Sequence, residues 1–235
     1  MASLVGSINV IVFACSLGAL PDTAASQTAE NPVALTAEPS HRVRFDDGKV
    51  RVYEVLLQKG EGTLWHVHRA DTFSIVFSAT EAIEHPKEGK PGTFRIPAGF
   101  IGFAADSQKP YTHRIVATGD TPFHVVDIEL QDSAPSGKQR PPARPDPPFK
   151  IAMENTRGRV YRVNLQPGES TGLFLRPSGS GVFALSAGRI REYDQGMERL
   201  WDFDPANFRW FESERTASVR NEGTTPVQLI EIEIY

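Results

Sequence analysis

Two stretches of this chain are copies of one another, and that limits its fold more than any single residue does. Arg51-Val52-Tyr53-Glu54-Val55-Leu56-Leu57-Gln58-Lys59-Gly60-Glu61-Gly62-Thr63 returns 108 residues later as Arg159-Val160-Tyr161-Arg162-Val163-Asn164-Leu165-Gln166-Pro167-Gly168-Glu169-Ser170-Thr171. A second pair of blocks, Gly119-Asp120-Thr121-Pro122 through Leu130 and Gly223-Thr224-Thr225-Pro226 through Ile234, is offset by 104 residues. Two matched blocks, in order and at near-equal offset, mean that a whole structural unit has been duplicated. Each unit is then about 100 residues long, an ordinary domain size.

Within a unit the pattern is that of strands. Val50, Val52, Val55 and Leu57 lead to a glycine turn, Phe73, Ile75 and Phe77 alternate with smaller residues, and Asp127-Ile128-Glu129-Leu130 alternates cleanly. The 19 glycines and 18 prolines suit short strands joined by turns rather than long helices. The expected fold is all-β: two antiparallel barrels in tandem, over residues 42–132 and 150–235. Between them, residues 133–149 carry Pro135, Pro141, Pro142, Pro145, Pro147 and Pro148 and read as a stiff linker.

The N-terminus reads differently. Residues 10–20 are apolar, Pro21 ends the run, and Thr23-Ala24-Ala25-Ser26 offers small residues for cleavage. We expect a signal peptide over 1–26, lacking a basic segment since the first basic residue is Arg42, then a flexible arm over 27–41. The run is too short and interrupted for a membrane span. The expected location is secreted or periplasmic. Cys15, the sole cysteine, falls in the leader, so a cleaved chain has no thiol for disulfides, metal or nucleophilic catalysis. A net charge of -4 gives no basic field for nucleic acid, and no basic and aromatic stripe exists. Phosphate-cradling loops, nucleophile elbows and His-Glu-x-x-His are absent too.

The chemistry-bearing residues are histidines. On a strand, His66 and His68 project to one face. His113 lies in a later strand, and barrel closure is the natural way to bring it opposite. Three neutral imidazoles suit a divalent transition metal: Fe, Mn, Zn, Ni or Cu, with selectivity set by geometry. His41, His85 and His124 read as surface or loop residues, and Glu81, Glu84 and Glu88 as a solvated loop. Trp65 reads as barrel wall. Trp201 and Trp210, with Phe203, Phe208 and Phe211, read as second-barrel core or as its contact with the first. Arg95 and Tyr111 are candidates for the pocket mouth.

Gly60, His66 and His68 have the spacing of the first motif of the cupin superfamily, and the duplicated chain resembles a bicupin. The motif's glutamate falls at Thr72 or Phe73. Asp71, one residue earlier, stands as a displaced carboxylate ligand, provided a turn brings it round. Pro97-Ala98-Gly99 matches the second motif, but Gly102 occupies its histidine position. His113 comes later, with Ala117 four residues on, so a loop is expected between Gly99 and His113. In the second unit Phe174, Arg176 and Ala217 stand where the first has His66, His68 and His113. That unit is expected to be structural or pocket-shaping. The resemblance implies jelly-roll barrels and a metal-dependent enzyme acting on a small molecule, of oxygenase or isomerase type. The alternative is a non-catalytic small-ligand-binding or structural protein. Cupins form dimers through sheet contacts, which two units in one chain already mimic, leaving a further homodimer open.

Overall fold

The computed structural model describes residues 31–131 and 140–235. The expected signal peptide and the start of the expected linker lie outside the described residues. Among the described residues no helix is long and apolar enough to cross a membrane.

The first unit runs β1 (Val33–Ala34), β2 (His41–Asp46), β3 (Val50–Leu57), β4 (His66–His68), β5 (Asp71–Val76), β6 (Thr80–Pro86), β7 (Gly92–Ile96), β8 (Ile101–Ala105), β9 (Tyr111–Ala117) and β10 (Phe123–Leu130). The second runs β11 (Phe149–Glu154), β12 (Gly158–Leu165), β13 (Phe174–Arg176), β14 (Ser180–Ala184), β15 (Gly188–Asp194), β16 (Met197–Phe203), β17 (Phe208–Phe211), β18 (Arg215–Asn221) and β19 (Val227–Ile234). Two facing sheets make each barrel: β1-β4-β9-β6-β7 over β2-β3-β10-β5-β8, and β13-β18-β15-β16 over β11-β12-β19-β14-β17. The duplication is therefore structural. Gly60 and Gly168 hold φ of +86° and +78° in matching turns, a conformation that favours glycine.

Alternation along β10 explains how the barrels meet. Phe123 and Val125 join the core inside the first barrel, with Tyr53, Val55, Leu57, Val76 and Ile115. Val126, Ile128 and Leu130 point the other way and pack with Phe73, Val160, Phe183, Ile230 and Ile232. One sheet of each barrel thus packs against the other within the chain. Each such fully buried side chain contributes about 1.5–3 kcal/mol of transfer free energy. Burial on both faces is why β10 and β19 are nearly continuously buried. Trp201, Phe203 and Phe211 belong to the second barrel's own core, whereas Phe208 and Trp210 pack at the contact between barrels.

Two expected boundaries shift. Over residues 33–41 the expected arm is built into the first barrel: β1 pairs in parallel with β4, and Leu35 is buried. The Glu38 carboxylate accepts from the Leu64 and Ser40 amides, fixing the approach to β4. The expected linker likewise ends early, because Phe149 opens β11 and packs in the second core. Arg144, just before it, is buried inside that barrel.

Candidate metal centre

His66 and His68 lie on β4, and β9 runs antiparallel beside it with His66 opposite His113. This register brings three ring nitrogens together. His68 Nε2 is 3.2 Å from His66 Nε2 and 3.1 Å from His113 Nε2. The outer nitrogens are already committed. His66 Nδ1–H donates to the Leu64 carbonyl at 2.8 Å, and His113 Nδ1–H donates to Glu84 Oε1 at 2.7 Å. In neutral rings both Nε2 atoms therefore present lone pairs, and a single proton on His68 Nε2 can satisfy only one of them. A metal satisfies all three. Bonds of about 2.0–2.1 Å at tetrahedral or octahedral angles put neighbouring nitrogens roughly 2.8–3.4 Å apart, so the spacing fits.

Electrostatics favour the ligand form. Burial, then the neighbouring His113, lowers His66 to about 4. Burial also holds His68 far below the ordinary imidazole range, helped by His113, His66 and His41. Metal ligation requires such unprotonated rings. Glu84 orients His113 and also accepts from Tyr111 at 2.8 Å. Burial pushes Glu84 up, but these hydrogen bonds outweigh it and hold the carboxyl below its usual value.

Several sequence expectations need correction. Asp71 is not with the histidines: it takes the Ser107 amide at 3.2 Å and lies 3.1 Å from Arg157 Nε of the second barrel. Alternation puts Asp71 on the face of Phe73 and Ile75, toward the other barrel, while Thr72 faces inward with its hydroxyl donating to the Ala70 carbonyl. Pro97-Ala98-Gly99 forms the turn before β8, not the approach to His113, and Gly102 pairs with Ser74 within β8. No inserted loop separates Gly99 from His113. Strand β8 and the short turn 106–110 do, because the chain must cross from one sheet to the other.

His41 is not at the surface. It opens β2 on the facing sheet, is buried, and sets its ring edge-on to His66 at 4.6 Å and Tyr53 at 5.0 Å. Burial lowers it to about 3. Glu84 is not in a solvated loop but on β6, beside β9; Glu88 is exposed as expected. His85 and His124 are half-buried, His124 bonding Glu54 at 2.8 Å. Arg95 is exposed and paired with Glu81 rather than set at the site. Trp65 is half-buried before β4, under the Arg114 guanidinium.

The second barrel repeats this register with different chemistry. Phe174 lies opposite Ala217 as His66 lies opposite His113. Arg176 replaces His68, is fully buried, and pairs with Glu192 and Glu231. By strand register Glu192 corresponds to Glu84 and Glu231 to Asp127. The second barrel thus carries a fixed guanidinium between two carboxylates where the first carries three imidazoles.

No protein-family model matches the chain, and no curated protein matches it in sequence. Solved structures do match. AerE from Microcystis aeruginosa is 15% identical, with a TM-score of 0.58 over 81% of this chain and 90% of that one. A salicylate 1,2-dioxygenase from Pseudoaminobacter salicylatoxidans is 13% identical, with a TM-score of 0.55 over 78% and 68%. An oxalate decarboxylase from Bacillus subtilis is 13% identical, with a TM-score of 0.53 over 79% and 69%. At such identities the likeness is one of fold, and the fold, two jelly-roll barrels in tandem, is that of the bicupins.

Proposed function

We propose that the first barrel is a metal-dependent enzyme site acting on a small molecule, with His66, His68 and His113 as the metal's protein ligands. One observation carries this reading: three Nε2 atoms converge, two on buried rings and one on a half-buried ring, while partners fix the opposite nitrogens of two of the rings. The likeness of fold to a dioxygenase and a decarboxylase supports it. When bound, a divalent transition metal supplies either activation of O2 or Lewis-acid polarisation of a carbonyl or enol. The chain's own residues do the rest. Leu64 and Glu84 hold the rings of His66 and His113 in the ligating tautomer. Export is part of the proposal and rests only on the apolar leader.

Elemental analysis of the natively expressed protein tests the site: we expect about one transition-metal ion per chain. Oxygen consumption with candidate substrates then separates oxygenase from isomerase. Natively expressed protein free of transition metal would sink the reading. Metal without turnover would favour the non-catalytic binding protein.

Glu84→Gln probes the support around the ligands. It keeps shape but weakens the hold on the His113 ring. Metal affinity should fall about 10–100-fold in chelator competition. The thermal midpoint of the chelator-treated variant should stay near that of chelator-treated wild type. Unchanged affinity would remove Glu84 from the site.

A further inference from the structure

The second barrel contains its own bound cation. Arg144 reaches in from the segment before β11, and its guanidinium pairs with Glu231 and with Glu233 at 2.8 Å. It lies over the rings of Phe149, Tyr161 and Phe174, at 4.8, 5.0 and 4.4 Å from their centroids. Rings and carboxylates around one guanidinium form a cation cage.

The first barrel has counterparts of the cage residues and lacks the arginine. The register makes His41, Tyr53 and His66 the counterparts of those three rings, and Asp127 the counterpart of Glu231. No Lys or Arg occurs between residues 31 and 41, the stretch that corresponds to the segment carrying Arg144. Arg51 pairs with Glu129 much as Arg159 faces Glu233. Asp127, however, is buried and has Ser74 as its hydrogen-bond partner, with no Lys or Arg paired to it among the described residues. The second observation is independent of charge. Tyr161 Oη accepts from Arg144 N and Arg159 Nη1, whereas Tyr53 Oη, in a residue only 1% exposed, has no hydrogen-bond partner among the described residues. Tyr53 lies directly opposite Asp127 on the neighbouring strand, so both point into the barrel.

We propose that the first barrel binds a small organic cation, a guanidinium or primary ammonium head, between Asp127 and the rings of His41, Tyr53 and His66. This deepens the proposed function by giving its substrate class, because the cation sits against the face of the histidine cluster. An anionic substrate would meet Asp127, to which no Lys or Arg is paired among the described residues. The rest of the ligand is left to face the metal ligands.

The full-length protein would be titrated, metal-loaded and chelator-treated, with butylguanidinium, butylamine, butanol and butyrate, by calorimetry and thermal shift. The two cations should bind and raise the melting midpoint, and butanol and butyrate should not. Asp127→Asn should weaken butylguanidinium at least about tenfold, the scale of a charge-assisted hydrogen bond. Tyr53→Phe should weaken it less, and melting curves of both variants check that they fold. Butyrate binding as well as the cations, or cation binding unchanged by Asp127→Asn in a folded variant, would overturn the proposal. The chelator-treated arm keeps the two readings apart: cation binding in protein that never holds metal would leave this inference standing and remove the metal.

Discussion

Replacing Arg176 by methionine should cost the protein about 3–5 kcal/mol, because it strands Glu192 and Glu231 inside the second barrel. In a chain of this size that is a fall of roughly 6–20 °C in melting temperature. Arg144 and Arg209 still touch these carboxylates but cannot replace the central guanidinium. The deficit should depend on pH. Burial pushes Glu231 up, yet Arg176 and Arg144 outweigh it and hold the carboxyl below its usual value. A lowered carboxylate stabilises the fold above its unfolded pKa and loses that contribution as pH falls through the folded one. The gap between variant and wild type should therefore be largest near neutrality and shrink in acid. Adding Glu192→Gln should recover part of the loss. A methionine variant as stable as wild type at pH 7 would show that the network is not what holds the barrel's interior.

His68→Ala should have the largest effect on the first barrel. His68 Nε2 is the nitrogen that touches both of the others, so its loss leaves two ligands that no longer share a neighbour. Structural zinc sites bind with about 10–16 kcal/mol from four ligands, so one ligand should be worth a hundredfold or more in affinity. Metal content after dialysis should drop from about one per chain to a trace, and the added stability that excess metal gives wild type should vanish. His124→Ala, on a half-buried residue bonded to Glu54, should keep its metal. Full metal occupancy in His68→Ala would mean that the ion lies elsewhere.

Much of this was legible in the residues. Duplication, the strand period, the shared face of His66 and His68, and the second unit's replacements at Phe174, Arg176 and Ala217 all depend on local spacing. Glu84 was hidden because its partner is 29 residues away and meets it only through the β6–β9 ladder. A glutamate in an otherwise strand-like run was the available signal. Local spacing gives no sign of His41, because it meets the cluster from the facing sheet. Nothing near Asp71 in the chain reveals its cation, because Arg157 belongs to the other barrel. Pro97-Ala98-Gly99 matched by type but lies one strand too early.

The two-barrel plan, and which barrel holds the imidazoles, follow from residue order, since period and repeat are properties of neighbours along the chain. Which charges and rings surround the imidazoles follows from how the sheets fold over one another. Strands adjacent in a jelly roll are often distant in sequence, and a carboxylate's partner is set by the sheet across the barrel rather than by the residues beside it.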